Sequence, residues 1–178
     1  MNEDPYWESL HRLAVYNKTM NARLYDAAGR LDAREIALNR GAFFGSILGT
    51  FNHLLVADRL WLHRFAARNY RSATLEGVEA FPSPTALDET LYQDFDPLRR
   101  ERGRTDTLIL QWIGALVPED LVGDLTYVDT AGRPTVKPFR HVVSHFFNHQ
   151  THHRGQVTAL LTQAGLDVGV TDLLALVP

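Results

Sequence analysis

Between Phe43 and Phe65 the chain is apolar on too many sides to lie on a surface. Phe44, Ile47, Leu48, Phe51, Leu54, Leu55, Leu62 and Phe65 recur at three- and four-residue spacing and cover more than half of a helix circumference. A helix this apolar must be enclosed by other helices. With 178 residues, 45% of them apolar and 22% charged, the chain is long enough to build that enclosure as a single domain over residues 1–178.

The rest of the chain supplies the partners. From Pro5 to about Ala28, Leu10, Leu13, Ala14, Leu24 and Ala28 share one helical face, and Asn17 and Asn21 lie on the same stripe. Buried amides need hydrogen-bond partners, so both asparagines are expected to bond neighbouring helices. Asp96-Pro97 reads as an N-cap and first-turn proline, opening a helix with Leu98, Arg102, Ile109, Trp112 and Leu116 that ends before Pro118. Residues 68–95 read as a long connection with one helical turn at Ala86–Leu91. Leu125–Val128 and Pro134–Val136 flank Ala131-Gly132 and read as a hairpin. A long helix then runs from about Phe139 to Ala164 and stops at Gly165, and Thr171-Asp172 reads as the cap of a last short helix. The predicted fold is all-α: a four-helix bundle with a small β-hairpin before the last long helix.

Composition removes several classes of function. There is no cysteine, which excludes disulfide frameworks, thiolate metal sites and cysteine nucleophiles. Eighteen basic against 21 acidic residues give a net charge of −3, without the basic excess expected of a nucleic-acid binder. The acidic start is unlike a signal peptide, and no apolar run is long enough to span a bilayer. A soluble cytoplasmic protein is expected, with no nucleic-acid or membrane partner.

Five of the eight histidines fall between His141 and His153. His149 and His153 are four residues apart, so on a helix their side chains can reach one point. They share the inward stripe of Val142, Phe146 and Leu160. Inward imidazoles are costly without partners, and a divalent metal ion partners both at once. The competing reading is a pair of hydrogen-bonded core histidines. A third ligand must come from a facing helix, and His53, on the most apolar helix beside Ser46, Gly49, Thr50 and Ala57, is the best placed. Those small residues suggest an open pocket around it. His145 is the rival, but three ligands in line on one helix would span about 12 Å, too far for bonds of about 2.0–2.1 Å. His145 is therefore expected beside the site or on the surface, and His11, His63, His141 and His152 away from it.

Gln156 is placed to orient a ligand or a bound water. Arg154 adjoins a ligand and is placed either on an anionic substrate or in solvent. Asp58 lies on an apolar stripe away from His53, which favours a structural ion pair over a catalytic base. No phosphate loop, nucleophile elbow or aspartate cluster for magnesium is present.

Taken together, Tyr16-Asn17 with Asn21, the Ile47…His53…Asp58…Trp61 run and Asn148-His149…His153-Arg154-Gly155-Gln156 resemble the DinB/YfiT-like family over essentially the whole chain. The resemblance implies a four-helix bundle, often a homodimer, in which three histidines hold a divalent metal ion, zinc or nickel. Those histidines match His53, His149 and His153. Some relatives are S-transferases that use small cellular thiols, and others are metal-dependent hydrolases.

Two functional expectations follow. The first is a metal-dependent enzyme acting on a small-molecule substrate, as a small-thiol S-transferase or a hydrolase. Three histidines leave coordination positions open, and a thiol would have to diffuse in, because the chain has none. The second is a stress-associated binding or structural module in which the metal only staples the bundle. Asn17, His145, Arg154 and Gln156 are candidates to support the site or contact substrate. A homodimer is expected through Trp112, Leu116 and the C-terminal Leu173-Leu174-Ala175-Leu176.

Overall fold

The computed structural model describes residues 5–68, 73–82 and 84–176. Four long helices, α1 (Pro5–Ala28), α3 (Ile47–Ala67), α4 (Phe95–Ala115) and α5 (Phe139–Gln163), form the bundle, with a short α2 (Ala33–Ala37) between α1 and α3. Helix α1 packs against α4 and α5, and α3 against α4 and α5. Strands β1 (Asp124–Val128) and β2 (Pro134–Pro138) pair antiparallel, with Thr126 opposite Val136, just before α5. The expected all-α bundle with its hairpin is therefore present.

Local chemistry accounts for the helix ends. Ser46 caps α3, its hydroxyl accepting the Gly49 N–H at 3.0 Å. At the end of α5, Gly165 takes φ +80°, which lets the Leu166 N–H reach back to the Leu161 carbonyl at 2.9 Å. In the hairpin, Asp129 Oδ1 accepts from the Ala131 and Arg133 N–H groups, both at 2.9 Å, and so holds the turn.

Two boundaries differ from the sequence reading. Helix α3 begins at Ile47 rather than Phe43, because Phe43 and Phe44 belong to a tight turn between Gly41 and Gly45, both at φ +73°. Helix α4 starts after Asp94, which holds the N-cap position without a side-chain capping bond, and this places Asp96 and Pro97 inside its first turn. Within Ala86–Leu91 a single turn forms, the Glu89 N–H reaching the Ala86 carbonyl at 3.4 Å, and it does not extend into a helix. A 3₁₀ helix over Ala73–Ala80 forms as well, and Leu75, Val78 and Phe81 are buried there. The weak pattern was misleading because three well-spaced apolar residues are enough to dock a short segment. Residues 69–72 and Ser83 lie outside the described residues.

The apolar core is divided into two. One cluster gathers Leu62, Phe65, Trp112, Val143 and Phe146, and the other Leu24, Phe51, Leu55, Leu98 and Leu161. On all four long helices the boundary between them is polar: Asn17 and Asn21 on α1, Asp58 on α3, Arg102 and Asp106 on α4, Gln150 and Arg154 on α5. These side chains partner one another, although Arg102 Nε and Gln150 Oε1 have no hydrogen bond among the described residues. Arg102 pairs with Asp58, and with Asp106 at 2.8 Å. Gln150 donates to Asp58 at 2.7 Å, and Asn17 and Asn21 donate to Asp106 at 3.2 and 2.8 Å. Arg154 donates to Asn17 and, at 3.0 Å, to Thr151. Two arginines balance two aspartates, so the layer carries no net charge. Burial pushes the Asp106 carboxyl up to about 6 against the pull of Arg102.

This layout corrects two readings. Trp112 and Leu116 are core residues, 2% and 6% exposed, and are not available to a partner chain. Of the apolar residues assigned to a dimer face, Leu173, Leu174 and Ala175 are exposed. Arg154 is not solvated: it is buried in the polar layer, its guanidinium 5.1 Å from the Tyr16 ring centre.

Candidate metal centre

His53 lies on the second turn of α3, and His149 and His153 lie one turn apart on α5. Where these helices cross, the three imidazoles converge. His53 Nε2 stands 3.3 Å from His149 Nε2 and 3.2 Å from His153 Nε2, and one ring nitrogen from each residue falls within 4.8 Å of the others. Tetrahedral nitrogen ligands at about 2.0–2.1 Å from one ion would themselves lie about 3.3 Å apart. His53 and His153 are 5% and 9% exposed, and His149 is half-buried. The neighbouring Gln150–Asp58 bond fixes the rotation of α5 against α3 at this level.

The partners behind the rings decide which nitrogens face inward. The Leu87 carbonyl lies 2.9 Å from His53 Nδ1, and a carbonyl only accepts. The hydrogen of neutral His53 is therefore on Nδ1, and the lone pair is on Nε2. The Gln156 amide nitrogen faces His152 Nε2 at 3.3 Å, which turns Gln156 Oε1 towards His153 Nδ1 at 2.8 Å. His153 is thus held in the same tautomer. In that pair of tautomers the two Nε2 atoms, 3.2 Å apart, have no hydrogen between them. That arrangement is repulsive by itself and is relieved by a cation bound between the rings. The donor set fits a divalent metal ion.

Protons are poor substitutes for that cation. Burial, and then the neighbouring His153 and His53, lower the His149 pKa to about 3. Burial also lowers His53 and His153, against the Leu87 carbonyl and the Gln156 amide respectively. Neutral imidazoles are the form that ligates metal.

Phe44 covers one side of the centre. Its ring stacks on His53 at 3.8 Å between centroids, inclined by 16°, and meets His153 edge-on at 5.6 Å. Of the small residues near His53, Thr50 and Ala57 are buried, and Ser46 and Gly49 form the helix start on which the Phe44 turn rests. A Cβ on Gly49 would fall 2.1 Å from the Phe44 carbonyl oxygen, so only glycine lets the turn sit on the helix start. On the α5 side His145 and His152 are exposed.

The candidate supporting residues separate cleanly. Gln156 touches His153, and His145 packs against His149 with ring centres 6.1 Å apart. Asn17 and Arg154 belong to the polar layer. Leu87 and Phe44 escaped sequence reasoning. Leu87 acts through its main chain, which leaves no signature in residue type. Phe44 was counted as a helix residue, and the Gly41 and Gly45 flanking it were the signal for a turn. A cavity of about 640 Å³ bounded by Tyr6, Leu121, Pro138 and His141 includes none of His53, His149 and His153.

The fold and the site together define a helical bundle with a three-histidine group that can hold a metal ion. Comparison with protein families matches residues 2–177 of this chain to the DinB family, and the chain belongs to that family. Comparison with curated proteins and with solved structures finds no match. No helix is long and apolar enough to cross a membrane among the described residues.

Proposed function

We propose that the protein binds one divalent metal ion, zinc or nickel, through His53, His149 and His153, and uses it in a reaction on a small molecule. The observation that carries this reading is the convergence of one ring nitrogen from each of the three histidines within 4.8 Å, backed by the Leu87 carbonyl and Gln156. A bound ion supplies Lewis acidity and leaves coordination positions for a substrate atom. The chain's own residues do the rest. Leu87 and Gln156 orient the ligands, Phe44 shields His53 from water, and the α5 side admits the substrate.

The favoured reaction is S-transfer with a diffusible low-molecular-weight thiol, with hydrolysis as its alternative at the same centre. A metal staple is the second reading, and the Phe44 ring over His53 favours it, because a staple gains from closure. Elemental analysis, followed by the visible spectrum of cobalt(II)-loaded protein with and without a small thiol or azide, separates them. Stoichiometric metal and a spectrum changed by either ligand support the enzyme. An unchanged spectrum, with no turnover in thiol-transfer and esterase panels, supports the staple. Self-association through Leu173 and Leu174 is part of this proposal, and a monomer mass by light scattering at micromolar concentration would remove it.

A further inference from the structure

Beyond the histidines, α3 continues into a second concave surface. Leu60, His63, Arg64 and Ala67 form the helix wall of a cavity of about 530 Å³, closed by Thr85 on one side and by hairpin residues Thr126–Thr130 on the other. Two of its polar groups lack a matching partner. The Nε2 of His63 is enclosed without a hydrogen bond among the described residues. Arg64 has no carboxylate within ion-pair distance among the described residues. One of its five donors is committed, to the Val128 carbonyl at 2.9 Å.

The Arg64 guanidinium is also held in place. It lies 4.6 Å from the Trp61 ring centre and 4.7 Å from that of Tyr127, so little freedom is left to lose when an anion binds. The acid in the cavity wall, Asp129, is already paired with Arg133 at 2.8 Å. The cavity wall therefore holds the Arg64 guanidinium, which has no ion-pair partner among the described residues, with the His63 ring, Thr126 and Thr130 beside it; the Thr85 hydroxyl already donates to Glu89 at 3.1 Å.

Two walls connect this cavity to the metal centre. Thr85 is two residues from Leu87, a reach of at most about 7 Å, and Leu87 holds His53. On the other side, the rings of Tyr127, Trp61, His145 and His149 touch in succession, with centres 5.2, 5.7 and 6.1 Å apart. Along α3, Arg64 lies eleven residues beyond His53, a rise of about 16 Å.

We propose that the Arg64–His63 cavity binds the anionic end, carboxylate or phosphate, of an elongated small molecule whose other end reaches the three histidines. Only the second half of this statement rests on the metal reading, so the two halves are tested apart.

The cavity is tested on chelator-treated full-length protein, by following the His63 ring signals in NMR during titration with glutarate and with inorganic phosphate. A saturable shift with either probe is expected, weakened about tenfold or more in Arg64→Gln and largely kept in Arg64→Lys. Arg12→Gln, a change in an exposed i,i+4 pair with Glu8, should bind like the parent. The proposal is overturned by the absence of a saturable His63 shift in the parent, by Arg64→Gln binding as well as the parent, or by equal weakening in Arg12→Gln. Melting curves show whether Arg64→Gln is folded, and the parent titration decides the matter if it is not.

The bridge is tested on metal-loaded protein with ω-mercaptocarboxylates of increasing length against the matching mercaptoalcohols. A carboxylate advantage that appears only in the longer members supports it. No advantage at any length overturns it, whatever the metal content.

Discussion

His153 and Gln156 stand three residues apart on α5, and the 2.8 Å contact between Nδ1 and Oε1 determines which face of the imidazole looks into the bundle. The Gln156 amide is itself fixed by His152, so an exposed histidine and a glutamine set the tautomer of a buried one. Replacing Gln156 by leucine should leave the fold intact and lower metal affinity by about tenfold to a hundredfold. Competition with a chromophoric chelator measures this. Affinity equal to that of the parent would show that the tautomer is set elsewhere.

Alanine at His53, His149 or His153 should each reduce metal bound per chain by at least about tenfold and lower the melting temperature of metal-loaded protein. His152→Ala should do so only weakly, through Gln156, and His145→Ala modestly or not at all. Full metal in His53→Ala with loss in His145→Ala would mean that the third ligand has been misassigned.

The polar layer should be intolerant of halves. Asp58→Ala leaves Arg102 with a single acid and Gln150 without its acceptor. Removing one partner from a buried pair costs about 3–5 kcal/mol. At roughly 2–4 °C per kcal/mol for a chain of this size, melting should fall by about 6–20 °C. A loss within about 2 °C in calorimetry would contradict this.

Gly49→Ala should be disproportionately harmful for a helical Gly-to-Ala change, which ordinarily gains stability. Its Cβ would meet the Phe44 carbonyl oxygen at 2.1 Å, and backbone must shift to relieve that contact. Loss of about 1–3 kcal/mol is expected, together with altered His53 ring signals as Phe44 moves. A gain in stability would show that the turn adapts freely.

Metal-free protein should lose stability as pH falls below neutrality. His149 has a folded pKa of about 3 against an ordinary 6.5, and His53 and His153 are shifted in the same direction. Between those values the unfolded chain takes up protons that the folded chain refuses, so the free energy of unfolding decreases as pH drops from about 6.5 towards 3. Asp106, raised to about 6, works in the opposite sense between 3.8 and 6, but is one group against three. Melting temperatures from pH 8 to 5 should fall, and His149→Ala should flatten the slope. A rise across that range would refute the assignment.

The helices, the hairpin and the convergence of His53 with His149 and His153 were legible in the sequence, because each follows from a period. An apolar stripe every three to four residues must be buried, and two histidines four apart on such a stripe must share a point. The Gly165 stop is equally local. Tertiary structure alone decided what surrounds the imidazoles. The Leu87 carbonyl reaches His53 across 34 residues of chain, and Phe44 leaves its helical stripe because a turn between two glycines fits on Gly49. It also decided that Asn17, Asp58, Arg102, Asp106, Gln150 and Arg154 close into one neutral layer. Residue type told that each needed a partner, but a partner on another helix is chosen by how the helices pack, and packing has no period in the sequence.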